Sequence, residues 1–167
     1  MRRIAAFTTN PIAIAMIAML AVTGCASKKA PNSAADLGLN ANNAAPGSSQ
    51  DFTLNVGDRI FFDTDSSVIR PDAQTTLAKQ AQWLNRYPNY RITVEGHADE
   101  RGTREYNIAL GARRAAATRD YLAARGVQAS RMRTISYGKE KPVALCDDIS
   151  CQTQNRRAVT VLGGQGS

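Results

Sequence analysis

The sequence predicts an α/β domain whose mixed sheet carries both helices on one face, and three observations predict it. Two helical runs, over 71–86 with an apolar stripe and over 103–125 ahead of a capping Gly126, are separated by short strand-like runs with apolar alternation. The elements follow the order βαβα and then two further strands, a succession that packs helices against a sheet through short connections. The chain is 167 residues long, room for one domain with appendages and too little for two full-sized ones.

Residues 58–63 (DRIFFD) read as a short strand running into acidic turn chemistry. Of the adjacent Phe61 and Phe62, one belongs to the core and the other faces the loop. Pro71 suits an early helical turn, where its missing N–H is not needed. Leu77, Ala81, Trp83 and Leu84 continue that helix to Arg86, and Pro88-Asn89 ends it. Residues 91–97 (RITVEGH) alternate as a strand through Ile92 and Val94. The long helix over 103–125 closes on Gly126. Residues 131–137 and 157–162 supply the last two strands, and no internal repeat is visible.

Upstream of this domain, placed at 51–167, the first 24 residues read as a leader. A basic start, Met1-Arg2-Arg3, precedes an apolar run over 11–22, about a dozen residues where a membrane-spanning helix needs ~20. The run ends at Val22-Thr23-Gly24-Cys25, which resembles the lipobox of bacterial lipoproteins, whose Cys is lipidated and becomes the mature N-terminus. A plain signal peptide or a membrane helix with an incidental Cys is the alternative. Acyl chains on Cys25 would hold the chain on a membrane at ~0.8 kcal/mol per buried CH₂. Ala26, in place of Asp, points to the outer membrane by similarity to enterobacterial sorting. Residues 25–50 are rich in Ala, Asn, Ser, Gly and Pro and contain no aromatic residue, the composition of a disordered tether with an r.m.s. span of ~25–30 Å.

The net charge of +7 invites a nucleic-acid reading. The basic residues of the domain are interspersed with acidic ones rather than gathered in blocks, and a leader directs the chain out of the cytoplasm, so nucleic acid is set aside as a partner. An outer-membrane barrel fails on the absence of repeated ~10-residue alternating strands. An oxidising compartment leaves Cys146 and Cys151, once Cys25 is taken by lipid, either as a disulfide closing a short loop or as two reduced thiols. With His97 the only histidine, neither a metal site nor a cofactor is expected.

The densest polar constellation is 96–102 (GHADERG), between the second strand and the long helix, where open α/β sheets place ligands. Asn107, Leu110, Gly111 and Arg114 recur at i, i+3, i+4 and i+7, one stripe of that helix. A carboxylate at Asp99 and a guanidinium at Arg114 suit a small zwitterion, with the ammonium on Asp99 and the carboxylate on Arg114. An Asp99–Arg114 salt bridge pinning loop to helix is the competing reading. Glu95, His97 and Asp99 also allow a general acid–base cluster, hence a hydrolase as the alternative function. No nucleophile with a paired base accompanies them: Ser136 lies on a predicted strand. Arg156 and Arg157 read as solvated or salt-bridged residues flanking the final strand.

The run GHADERGTREYNIALGARRAAATRDYL, preceded by FFDTDSSVIRPDA and followed by ISYGKEKP and NRRAV, resembles the OmpA-like peptidoglycan-binding domains over about residues 58–162. With lipobox and tether, the chain is similar to the outer-membrane lipoproteins of the Tol–Pal system. The resemblance implies a non-enzymatic anchor that faces the periplasm, binds the diaminopimelate of the peptidoglycan stem peptide, partners TolB, and supports envelope integrity and constriction at cell division. It places the ammonium and carboxylate of diaminopimelate on Asp99 and Arg114. It lines the pocket with Phe62, Asp63, Thr64 and Asp65, and puts Asn107 and Leu110 near its floor. The loop between Cys146 and Cys151 departs from the family pattern.

Overall fold

The computed structural model describes residues 44–146 and 148–165. The leader, Cys25 and most of the tether lie outside the described residues. Among the described residues no helix is long and apolar enough to cross a membrane.

The fold begins earlier than residue 51. Ser48 caps a helical turn, α1 (Ser49–Asp51), by accepting from the Asp51 amide, and the chain continues through a wider turn over Phe52–Val56. The Asp51 carboxylate accepts from the Gly47 amide and, at 2.8 Å, from the indole N–H of Trp83. Phe52 is buried 4.9 Å from the Trp83 ring, and the Tyr90 hydroxyl donates to the Gly47 carbonyl. The last residues assigned to the tether thus belong to the domain. Their composition is tether-like, and only Trp83 and Tyr90, distant in sequence, give them partners.

Strand β1 (Arg59–Phe61) is shorter than predicted, because the chain turns where Phe62 donates to the Arg156 carbonyl. Helix α2 (Pro71–Arg86) starts with Pro in its first turn, and strand β2 (Tyr90–His97) follows. Helix α3 (Arg104–Ala124) is capped by Thr103, whose hydroxyl accepts from the Tyr106 amide, and the chain leaves it through Gly126 at φ 92°. Strand β3 (Met132–Gly138) is followed by an unpredicted helix, α4 (Ile149–Asn155), and then by β4 (Arg157–Gln165). Cys146 and Cys151 are disulfide-bonded with their Cα atoms 5.7 Å apart, so the loop is closed at the first turn of α4.

The sheet order is β1-β4-β2-β3, with β2 and β3 parallel and the other pairs antiparallel. The final strand therefore slots into the middle of a mixed sheet. Ile60, Ile92, Val94 and Ala158 point from the sheet into one core with Leu77, Ala81 and Leu84 of α2 and Ala115 and Leu122 of α3. Gln80 crosses this layer, donating to the Gly57 carbonyl and accepting from Thr160. Where α3 meets the end of β2, two glycines touch: a Cβ on Gly96 would land on the Gly111 carbonyl oxygen. Backbone-to-backbone approach brings the first turns of α3 down beside the loop that leaves β2.

Candidate functional site

Beyond His97, the chain leaves β2 and runs through 98–103 into α3. Asn107, almost fully buried, donates its side-chain N–H groups to the carbonyls of Arg101 and Thr103, and on the other side Lys139 donates to the carbonyls of Glu100 and Gly102. The opposing wall is the turn after β1. Ser66 donates to the Asp63 carbonyl, and Asp65 sits at φ 53°, a left-handed conformation that a short polar side chain tolerates. Asp65 accepts from the Tyr106 hydroxyl, which ties this wall to α3.

Between the walls lies a pocket of about 290 Å³. It is lined by Thr64 and Asp65 from one wall, Asp99, Arg101 and Gly102 from the other, and Tyr106, Asn107 and Leu110 from α3. Asp99 is its most buried charge, 7% exposed. One oxygen, Oδ2, accepts from Arg101 at 2.5 Å and from Arg156 at 3.2 Å. Burial pushes the Asp99 carboxyl up, but the hydrogen bonds from Arg101 and Arg156 outweigh it and hold the group below the ordinary carboxylate value. Arg101 reaches Thr64 as well, at 3.4 Å, and its Nε and Nη1 donate to nothing among the described residues.

Of the residues anticipated for this site, Thr64, Asp65, Asp99, Asn107 and Leu110 line the pocket. Phe62 lies beneath it, fully buried, and the Asp63 side chain points outward to Arg70 at 3.4 Å. Arg114 is the main departure. It is 0% exposed and does not line the pocket. Its guanidinium donates to the carbonyls of Ser66 (2.8 Å), His97 (2.7 Å) and Asp63 (3.0 Å) and lies over the Phe62 ring at 5.2 Å. Burial lowers its pKa to about 10, so it stays charged at neutral pH. Arg114 holds the two walls together rather than facing the cavity, and the competing reading, an Asp99–Arg114 salt bridge, does not hold either: Asp99 pairs with Arg101 and Arg156.

Three participants escaped the sequence reading. Arg101 sat inside the quoted motif and Tyr106 one position off the helical stripe. Arg156, expected as a solvated or salt-bridged flank of the final strand, is the salt-bridged one: it pairs with Asp99 and donates also to the Phe62 carbonyl and Thr153.

The acid–base cluster does not form. His97 is 2% exposed and, by strand alternation, lies with Glu95 on the sheet face away from the helices, its Nε2 3.7 Å from the Glu95 carboxylate. Both ring nitrogens lack hydrogen-bond partners, and the ring stacks on Tyr137 at 5.5 Å. Burial first, then Arg157 and Lys141, lowers its pKa to about 4. His97 is sealed from solvent and lines no part of the Asp99 pocket, so the three residues do not act on one substrate as an acid–base group.

The sequence profile of the OmpA family matches residues 61–156. A peptidoglycan-associated lipoprotein of Mesorhizobium japonicum (strain LMG 29417 / CECT 9101 / MAFF 303099) is 74% identical over the whole of both chains. Another, of Rhizobium meliloti (strain 1021), is also 74% identical, over 99% of this chain and 94% of that one. The crystal structure of the peptidoglycan-associated lipoprotein from Burkholderia pseudomallei, 41% identical, superposes with a TM-score of 0.66, covering 71% of this chain and 100% of that one.

Proposed function

Because the chain belongs to the OmpA family, among the peptidoglycan-associated lipoproteins, we infer that it anchors the outer membrane to peptidoglycan non-covalently, by binding the zwitterionic centre of diaminopimelate in the pocket around Asp99. The observation that carries this reading is Asp99 itself, a buried carboxylate kept ionised and open to a cavity of amino-acid size. The ligand ammonium pairs with Asp99, joined by the Asp65 carboxylate at the rim. The ligand carboxylate takes the unused N–H groups of Arg101, while Arg114 fixes the carbonyls beneath and adds positive potential from below. Lipid on Cys25 holds the other end, and exchange with TolB in the Tol–Pal system, serving envelope integrity and constriction, extends the same reading. Pairing at the wall is reversible and calls for no bond cleavage, while the lipid makes the hold on the membrane long-lived.

The test is co-sedimentation of residues 26–167 with diaminopimelate-type sacculi beside Asp99→Asn. Losing one partner of a desolvated charge pair costs about 2–5 kcal/mol, so the variant is expected to bind tens- to thousands-fold more weakly while sacculi are recovered chemically intact. Equal binding by a folded Asp99→Asn protein would remove the pocket from the reading, and release of soluble muropeptides would return the enzyme.

A further inference from the structure

A second cavity lies at the opposite end of β2 from the Asp99 pocket. It measures about 360 Å³ and is lined chiefly by Arg91, Thr93, Ser130, Arg131, Arg133 and Gly163. Along an extended strand, Arg91 and the loop beyond His97 are separated by ~25 Å, so one ligand of amino-acid size cannot bridge the two.

Three guanidinium groups meet here, and among the described residues no carboxylate lines the cavity. Around the first pocket three exposed arginines are paired with carboxylates, Arg70 with Asp63 and Asp72, Arg101 with Asp99 and Arg104 with Glu140, while Arg113 lies over the Tyr106 ring. At the far end Arg131 donates to the carbonyls of Leu84, Tyr87 and Tyr90, capping the end of α2, so its charge is partly answered by the helix dipole. Exposed Arg133 touches only the Thr93 hydroxyl, at 3.4 Å, and exposed Arg91 has no hydrogen-bond or ion-pair partner among the described residues. Gly163 packs its backbone against that of Arg91, where an added Cβ would meet the Arg91 carbonyl oxygen at 3.1 Å. The result is a cationic floor with hydroxyls at its edge and two guanidinium groups that have no ion pair among the described residues, the donor set that takes phosphate oxygens.

The occupant follows from where the chain arrives. Gly47 is held by the hydroxyl of Tyr90, the residue before Arg91, so the tether meets the domain at this same end. From Cys25 to Gly47 the chain extends at most ~75 Å, which keeps this end within reach of the surface to which Cys25 is fixed. We propose that the Arg91–Arg133 cleft binds the phosphate group of anionic membrane lipids, seating the tether-side end of the domain on the membrane that carries it. The proposal rests on the lipid-anchor reading, and it is independent of what fills the Asp99 pocket.

The experiment uses unlipidated residues 26–167, which contain the whole described core, so that no acyl chain supplies binding. Sedimentation with phosphatidylcholine vesicles is compared with vesicles containing ~30% phosphatidylglycerol, in sodium chloride and in inorganic phosphate of equal ionic strength. Expected are binding to the anionic vesicles only, competition by phosphate beyond that of chloride, and a drop of about tenfold or more in Arg91→Glu and in Arg133→Glu. Equal vesicle binding by both variants overturns the site. Competition no better than chloride reduces it to diffuse attraction and overturns a phosphate site. Phosphate binding without vesicle binding overturns the lipid as its source. Thermal melting and sacculus binding of the same variants, both expected unchanged, show that they are folded and separate this failure from failure of the peptidoglycan reading, which Asp99→Asn tests alone.

Discussion

Arg156 donates from Nη1 to the same Asp99 oxygen that Arg101 holds from the solvent side, across 57 residues of sequence. The two guanidinium groups are not equivalent. The Arg156 side chain is 9% exposed and also grips the Phe62 carbonyl and Thr153, whereas Arg101 is half in water. Arg156→Ala leaves a buried carboxylate half paired and is expected to cost about 3 kcal/mol of stability along with sacculus binding. Arg101→Ala is expected to lose sacculus binding with little change in stability. Urea titration of both variants beside sacculus co-sedimentation checks this, and an unchanged Arg156→Ala midpoint would contradict it.

Arg114→Lys separates a wall-fastening role from a ligand contact. An ammonium keeps the charge but cannot span the three carbonyls that the guanidinium reaches. The expected outcome is a loss of about 2 kcal/mol that parallels the loss of sacculus binding, both read on the same preparation. Lost binding at full stability would instead make Arg114 a direct contact.

His97 gives the domain a pH dependence. Its folded pKa, about 4, lies below the ordinary 6.5, so between those values the unfolded chain binds a proton that the folded one refuses. Stability therefore falls as pH drops from 6.5 toward about 4, by about 3 kcal/mol, and levels off below. His97→Gln is expected to flatten that slope in urea midpoints measured across the window. A wild-type slope that survives the substitution would assign it to other groups.

The disulfide braces the same machinery from outside. It closes the loop at the start of α4, Asn155 at the helix end accepts from Val143 and Ala144, and the next residue is Arg156. Cys151→Ser is expected to lower stability by about 2 kcal/mol and to weaken sacculus binding severalfold as Arg156 loosens. A melting point that responds to reductant in the parent and not in the variant checks it.

The two long helices were legible to within a residue because their ends carry local chemistry: Pro71 opens α2, Thr103 caps α3 and Gly126 closes it. Helix α4 was missed because seven residues offer too few turns for a period, and its cap, Asp148, lay in what read as a loop between cysteines. Asn107, Leu110, Gly111 and Arg114 share one stripe as their spacing predicts, and the structure buries all four. The ligand contact expected of Arg114 was not legible, since only the fold brings three carbonyls over its guanidinium. Arg156 lay further out of reach, because nothing local to it marks Asp99 as its partner.

The bond between Tyr90 and Gly47 also has a mechanical side. In a domain held by a membrane through Gly47 and by the wall through Asp99, tension enters beside one end of β2 and leaves beyond the other. The pull then runs along the strand, across the hydrogen bonds that β2 makes with β3 and β4. Those bonds are strained together in shear rather than opened one after another as in a zipper. The stiffest direction of the sheet is thereby aligned with the force that a separating envelope would apply.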